Sequence, residues 1–168
     1  MISNVPEHSR RHLPCEVLVV DDHDHSRSAS RLILEEHGFA VIEARSGFDA
    51  LVIAQVSRPR VILMDISLPE IDGLQLTRML RADPVMRHCA IIALTAFTGQ
   101  EHRDAALAAG CDAYMTKPVS SVALLDIVRL YARRPRSTEL GPVGVEIGAA
   151  APTLSLAVGA SAEPAVRR

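Results

Sequence analysis

The chain is poor in the features that would place it outside a water-soluble fold. Its 168 residues carry a formal net charge of only -2, with a pI near 6.4. No overall basic field exists to hold a nucleic-acid backbone or an anionic membrane. No uninterrupted apolar run reaches membrane-spanning length, and the opening MISNVPEHSRRHLP lacks the apolar stretch of a signal peptide. A cytoplasmic location is the expectation. Cysteine is scarce: Cys15, Cys89 and Cys111 are widely spaced and odd in number, which argues against a disulfide framework or a cysteine metal site. They read as reduced thiols and small packing residues. Aromatic residues make up 3% of the chain, yet 48% is hydrophobic, enough for one domain with a buried core and some chain left over.

What is present is a regular alternation. Residues 17–20, 61–64 and 91–94 are short, continuous apolar runs of the kind that form strands covered on both faces. Residues 40–44 and 113–116 are weaker strand candidates at the same phase. Helical spacing fills the gaps. In 26–37 it places Ala29, Leu32, Ile33 and His37 on one side before Gly38. Ser46 opens a second helix with Phe48, Leu51, Val52 and Val56 together, until Pro59 ends it. A third, over 73–82, points Leu76, Met79 and Leu80 inward. A fourth covers 100–109 and stops at Gly110. A fifth, 120–133, is apolar almost all round: Val122, Leu125 and Val128 are expected against the sheet, leaving Leu124, Ile127 and Tyr131 for a partner or dimer contact.

Five strand–helix alternations within one domain predict an α/β fold, a doubly wound parallel sheet with helices on both faces. Residues 15–134 are the expected domain, after a flexible N-terminal segment at 1–14. Residues 135–168, rich in Ala, Gly, Pro and Ser, are expected to be disordered, with the weakly apolar 149–158 as a minor docking possibility. That tail is expected to be too short for a helix-turn-helix or catalytic module.

In doubly wound sheets ligands bind beyond the carboxyl ends of the strands. There the sequence places Asp21 and Asp22 after the first strand, Asp65 after the third, Thr95 after the fourth, and Lys117 with Pro118 after the fifth. Any one of these alone is an ordinary turn or cap residue. Together they carry chemistry. Converging carboxylates need a cation, all-oxygen ligation suits Mg2+, and Mg2+ shares its coordination with phosphate. Thr95 and Lys117 can hold the oxygens of that group. His23 and His25, in the run DDHDH, raise transition-metal binding as a lesser reading.

The motifs VLVVDD, ILMDISLPEIDG, IIALTA and DAYMTKP, in this order, resemble the response-regulator receiver family of two-component signalling over residues 15–133. The resemblance implies five strands in the flavodoxin-like order 2-1-3-4-5. It implies Asp65 as phosphoacceptor, and Mg2+ on Asp22, Asp65 and the backbone carbonyl of Ser67 with support from Asp21. It further implies Lys117 pairing with the phosphoryl group, a cis bond before Pro118, and Thr95 and Tyr114 as switch residues. The donor would be a sensor histidine kinase or histidine phosphotransfer protein. The output face, toward a target or a homodimer, would be the fourth helix, fifth strand and fifth helix. Such a chain is no enzyme beyond its own phosphorylation and dephosphorylation. Ser67 and Phe97, two residues after the acceptor and the threonine, are expected to tune the lifetime of the phosphoryl group, Phe97 by shielding it from water.

Two rivals remain at this point. A haloacid-dehalogenase-type phosphatase would use Asp22, Asp24, Thr95 and Lys117, but it needs an acidic pair after the lysine. Asp126 is the only aspartate that follows, inside an apolar helix, and Asp65 would have no role. A receiver-like binding module acting without phosphorylation is the other.

Overall fold

Branched aliphatic residues in unbroken runs become the middle of one parallel sheet. The computed structural model describes residues 16–133 and 145–147. The expectations for Cys15, for segment 1–14 and for most of the tail, 149–158 included, lie outside the described residues. Strands β1 (Glu16–Val20), β2 (Ala40–Ala44), β3 (Val61–Asp65), β4 (Ala90–Thr95) and β5 (Ala113–Thr116) alternate with helices α1 (Asp24–Glu36), α2 (Gly47–Ser57), α3 (Gly73–Ala82), α4 (Gln100–Ala109) and α5 (Ser121–Ala132). All strand pairs are parallel, in the order β2-β1-β3-β4-β5. The doubly wound architecture and its strand order are as the sequence indicated.

One element is additional. Val145–Ile147 forms β6, parallel to β5 at the edge of the sheet. These three residues fall in the stretch expected to lack structure. The local pattern Val143, Val145, Ile147 has strand alternation, but the surrounding Gly and Pro mask it.

Because successive side chains of a strand point to opposite faces, the sheet divides the core in two. Leu18, Val20, Ile62, Met64, Ile91 and Ala93 pack with Ala50, Ala54, Leu76, Leu80 and Ala106. Val17, Val19, Val61, Leu63, Ile92 and Leu94 pack with Leu34, Leu124, Ile127 and Val128. Side-chain caps fix three helix starts: Ser46 accepts from Asp49 N, Asp72 from Gln75 N, and Ser120 from Ala123 N.

Several helix faces differ from expectation. In α2 the small residues Gly47, Ala50 and Ala54 are buried, while Phe48 (56%), Val52 (65%) and Val56 (82%) are exposed. A helix apolar all round has no periodic signal to choose its face, and small residues permit the closer approach to the sheet. In α1 the buried residues are Arg27 and Leu34, with Leu32 exposed. In α3 Met79 turns outward and Thr77 is buried in its place, its hydroxyl donating to the Gly73 carbonyl. In α5 the expected partner-facing residues Leu124, Ile127 and Tyr131 are buried, and Val122 is exposed. The sheet and α1 absorb them on two sides, and the large apolar residues that α5 leaves exposed are Val122 and Leu130 instead.

At the amino-terminal rim of the sheet one side chain clasps three segments. The Arg81 guanidinium donates to the Gly110 carbonyl (2.8 Å), the Cys89 carbonyl (2.7 Å) and the Asp112 carboxylate (2.6 Å). Asp112 accepts in turn from Ile91 N at 2.8 Å. This ties α3 to the starts of β4 and β5.

Cys89 and Cys111 are buried and unbridged. Burial pushes the Cys111 thiol up to about 11, which leaves on the order of 100-fold less thiolate near pH 8 than an ordinary cysteine has. Iodoacetamide labelling near pH 8, followed by peptide mapping, is expected to leave Cys111 unmodified in the native chain and to alkylate it once urea unfolds the domain. The sign of the linkage follows. The raised folded value gives stability that is complete below the ordinary thiol range and is lost as pH rises toward 11.

Among the described residues no helix is long and apolar enough to cross a membrane.

Candidate functional site

The strand order reverses between β1 and β3, and the carboxyl ends of these strands flank the resulting crevice. Asp21 follows β1 and is buried; Asp65 is the last residue of β3 and only 3% exposed. Buried carboxylates demand partners, and both have them. Lys117 Nζ donates to Asp65 Oδ2 at 2.6 Å and to Asp21 Oδ2 at 2.9 Å. The remaining oxygens accept backbone donors: His23 N reaches Asp21 Oδ1 and Ser67 N reaches Asp65 Oδ1, each at 2.8 Å.

The electrostatic balance of this triad is legible residue by residue. Burial works against the Asp21 carboxylate, but hydrogen bonds from Ser26, Lys117 and His23 outweigh it and hold its pKa below the ordinary value. Burial likewise works against the Lys117 ammonium. Hydrogen bonds to Asp65 and Asp21, with their charges, outweigh it and raise its pKa.

The ligand atoms of Asp21, Asp22, His23 and Asp65 all lie within 4.8 Å of one another. Three carboxylates against one ammonium leave a formal charge of two negative, which a single divalent ion neutralises, and three hard oxygen donors fit Mg2+. His23 Nδ1 lies 2.8 Å from Asp22 Oδ1 and belongs to this group, whereas His25 does not. Asp24 also stands outside it, ion-paired with Arg27.

Thr95 closes β4, buried beside the end of β3, and its carbonyl accepts from Lys117 N at 2.7 Å. Its hydroxyl oxygen accepts from Phe97 N at 3.1 Å. Tyr114 of β5 is buried, and its hydroxyl donates to the Phe97 carbonyl at 2.6 Å. Thr95 and Tyr114 therefore grip the same loop. The Phe97 ring is half exposed (53%) and stacks on His102 with centroids 5.0 Å apart. The Lys117–Pro118 bond is cis.

Two residues that build the site carry no chemical signal in the sequence. Arg27, on the inner face of α1, is buried; it donates to the Asp21 carbonyl at 2.8 Å and pairs with Asp24 and with Glu43 of β2. It anchors the turn that presents Asp21 and Asp22. Gly73, the first residue of α3, donates to the Ile66 carbonyl at 3.0 Å. A Cβ there would sit 2.4 Å from the Asp65 carbonyl oxygen and 2.8 Å from Ile66 Cα. Only glycine permits this approach, which sets α3 directly behind the acceptor end of β3.

The phosphatase rival fares poorly against these positions. Asp24 is engaged elsewhere, and Asp126 is exposed on α5.

Comparisons with known proteins converge on one family. Residues 17–129 match the family model of the response regulator receiver domain. The polar-differentiation response regulator DivK of Brucella anthropi is 36% identical over 119 residues, covering 71% of this chain and 97% of that protein. The DivK protein of Brucella ovis is likewise 36% identical, over 68% of this chain and 94% of its own length. Among solved structures, a putative response regulator from Chloroflexus aurantiacus superposes with a TM-score of 0.69 at 31% identity, over 72% of this chain and 99% of that one. The chemotaxis response regulator CheY4 of Vibrio cholerae gives 0.67 at 28%, over 70% and 98%. With its fold, its acidic crevice and its lysine in place, this chain belongs to the response regulator receiver family.

Proposed function

We propose that Asp65 is the phosphoacceptor of this receiver, with Lys117, Thr95 and an acidic Mg2+ site as its working parts. The observation that carries the reading is the Lys117 ammonium held between Asp65 and Asp21 at 2.6 and 2.9 Å. A cation placed there faces whatever negative charge is added to Asp65.

In this reading an Asp65 carboxylate oxygen attacks the phosphorus of a phosphohistidine donor. The new O–P bond forms as the P–N bond breaks, and the imidazole leaves with the electron pair. Mg2+ held by Asp21, Asp22, Asp65 and the backbone carbonyl of Ser67 would supply positive charge to the phosphoryl oxygens. Lys117 turns its ammonium from the carboxylate to one of those oxygens, and the Thr95 hydroxyl is drawn toward another. Both bind the phosphorylated state better than the free one, and such a difference shifts a population. Movement of Thr95 disturbs the loop that Tyr114 holds at the Phe97 carbonyl, which leads toward α4, β5 and α5. The donor is a histidine kinase or histidine phosphotransfer protein, and the target or second protomer reads that face. The test is an intact-mass measurement after Mg2+ and acetyl phosphate, with one added phosphoryl group per chain expected.

Phe97 sets the lifetime of the product in this scheme. Its ring, steadied by His102, covers the approach of water to the acyl phosphate. Phe97→Ser is expected to shorten the lifetime on the order of tenfold, about 1.4 kcal/mol of barrier. The decay of the phosphorylated mass after donor removal measures it. An unchanged decay removes Phe97 from this role.

A further inference from the structure

Strand β5 has its inner side on β4 and its outer side on β6. Without β6 it would end the sheet and present a row of unpaired N–H and C=O groups, a template for any extended chain. Native edges are guarded by charged residues, prolines or bulges. The opposite edge strand, β2, carries Glu43, whereas β5 reads Ala-Tyr-Met-Thr and has no charge and no proline. Its protection therefore has to come from cover. That cover is Val145, Glu146 and Ile147, paired in parallel with Ala113, Tyr114 and Met115.

We propose that residues 145–147 are an intramolecular strap that occupies the β5 edge and keeps it from pairing with a second copy of this chain. A three-residue strand makes few ladder bonds, and each contributes little net free energy, so the strap opens far more readily than the core. Its register sets Glu146 beside Tyr114, the residue whose hydroxyl holds the loop at Phe97. The strap thus pairs with the same short strand that carries the switch tyrosine. A second copy is the partner always at hand, and it would bring an identical bare edge for two-fold antiparallel pairing. The proposal is independent of chemistry at Asp65, and its test uses neither Mg2+ nor a phosphodonor.

Adjacent residues of a strand aim their N–H groups to opposite sides, so replacing both Val145 and Glu146 by proline removes a ladder donor whichever of them faces β5. The control, Val145→Ala with Glu146→Ala, keeps both donors. All variants are made in the full chain. Measured at a concentration low enough to keep the chain monomeric, hydrogen–deuterium exchange of a peptide covering β5 is expected to show about two more fast amides in the proline variant, because alternate amides of the strand face the strap. The same variant is expected to self-associate about tenfold more tightly in sedimentation velocity. The native chain and the alanine control stay protected and alike. Unchanged exchange in the proline variant overturns the proposal, and so does lost protection without stronger self-association. Exchange in β1 and β3 serves as the check that the domain itself is intact.

Discussion

Asp65→Asn is expected to reduce phosphoryl incorporation from acetyl phosphate to below about 1% of the native level. The amide keeps the size and shape of the carboxylate, so the buried site at the end of β3 stays filled. It still accepts from Ser67 N through its oxygen, as Asp65 Oδ1 does. What it loses is the anionic nucleophile and one of the two acceptors that hold Lys117, while Asp21 retains the other. Folding is therefore expected to survive and chemistry to fail. Asp24→Asn is the matched control. Asp24 lies outside the acidic group and pairs with Arg27, so that variant is expected to take up the phosphoryl group. Incorporation on the Asp65→Asn chain would move the acceptor elsewhere.

Gly73→Ala is expected to cost about 2–3 kcal/mol of stability, the scale of overpacking against atoms that cannot move aside. The sign is what makes the measurement decisive. Gly73 is the first residue of α3, and helix propensity alone predicts a gain of up to about 1 kcal/mol on replacing glycine by alanine. The added methyl would instead meet the Asp65 carbonyl oxygen and Ile66 Cα. Both are backbone atoms, and neither can rotate away. Either α3 lifts or the end of β3 shifts, and Asp65 rides on that end. Urea unfolding is expected to show a lower midpoint with an unchanged slope, and phosphoryl uptake is expected to slow in parallel. A neutral or stabilised variant would mean that α3 does not press on the acceptor strand.

Much of this candidate site was legible because Asp21, Asp65 and Thr95 each directly follow a run of buried aliphatics. Where VLVV gives way to Asp21 and Asp22, or VILM to Asp65, the change from apolar to acidic marks a strand end by itself. Gly110 marked the end of α4 in the same way, and the helix stops there with glycine in a left-handed conformation. Inward faces were harder to read. In α2 and α5 apolar residues surround the helix, so periodicity cannot say which of them meets the sheet. Arg27 and Gly73 were invisible for another reason. One acts by filling a buried polar position and the other by having no side chain, and both depend on backbone brought near only by the fold. Strand β6 is too short for any periodic signal to rise above its glycines and prolines.

The clasp of Arg81 gives the two rims of the sheet unequal stiffness. Below, one guanidinium rivets the beginnings of β4 and β5 to α3, so those strands cannot slide against each other at their starting points. Above, they terminate in turns secured by a tyrosine hydroxyl and a lysine ammonium, groups able to change partners. The domain is built like a tuning fork, clamped at the base and closed at the tips by exchangeable polar groups, so a disturbance at the crevice is expected to move the tips before the base.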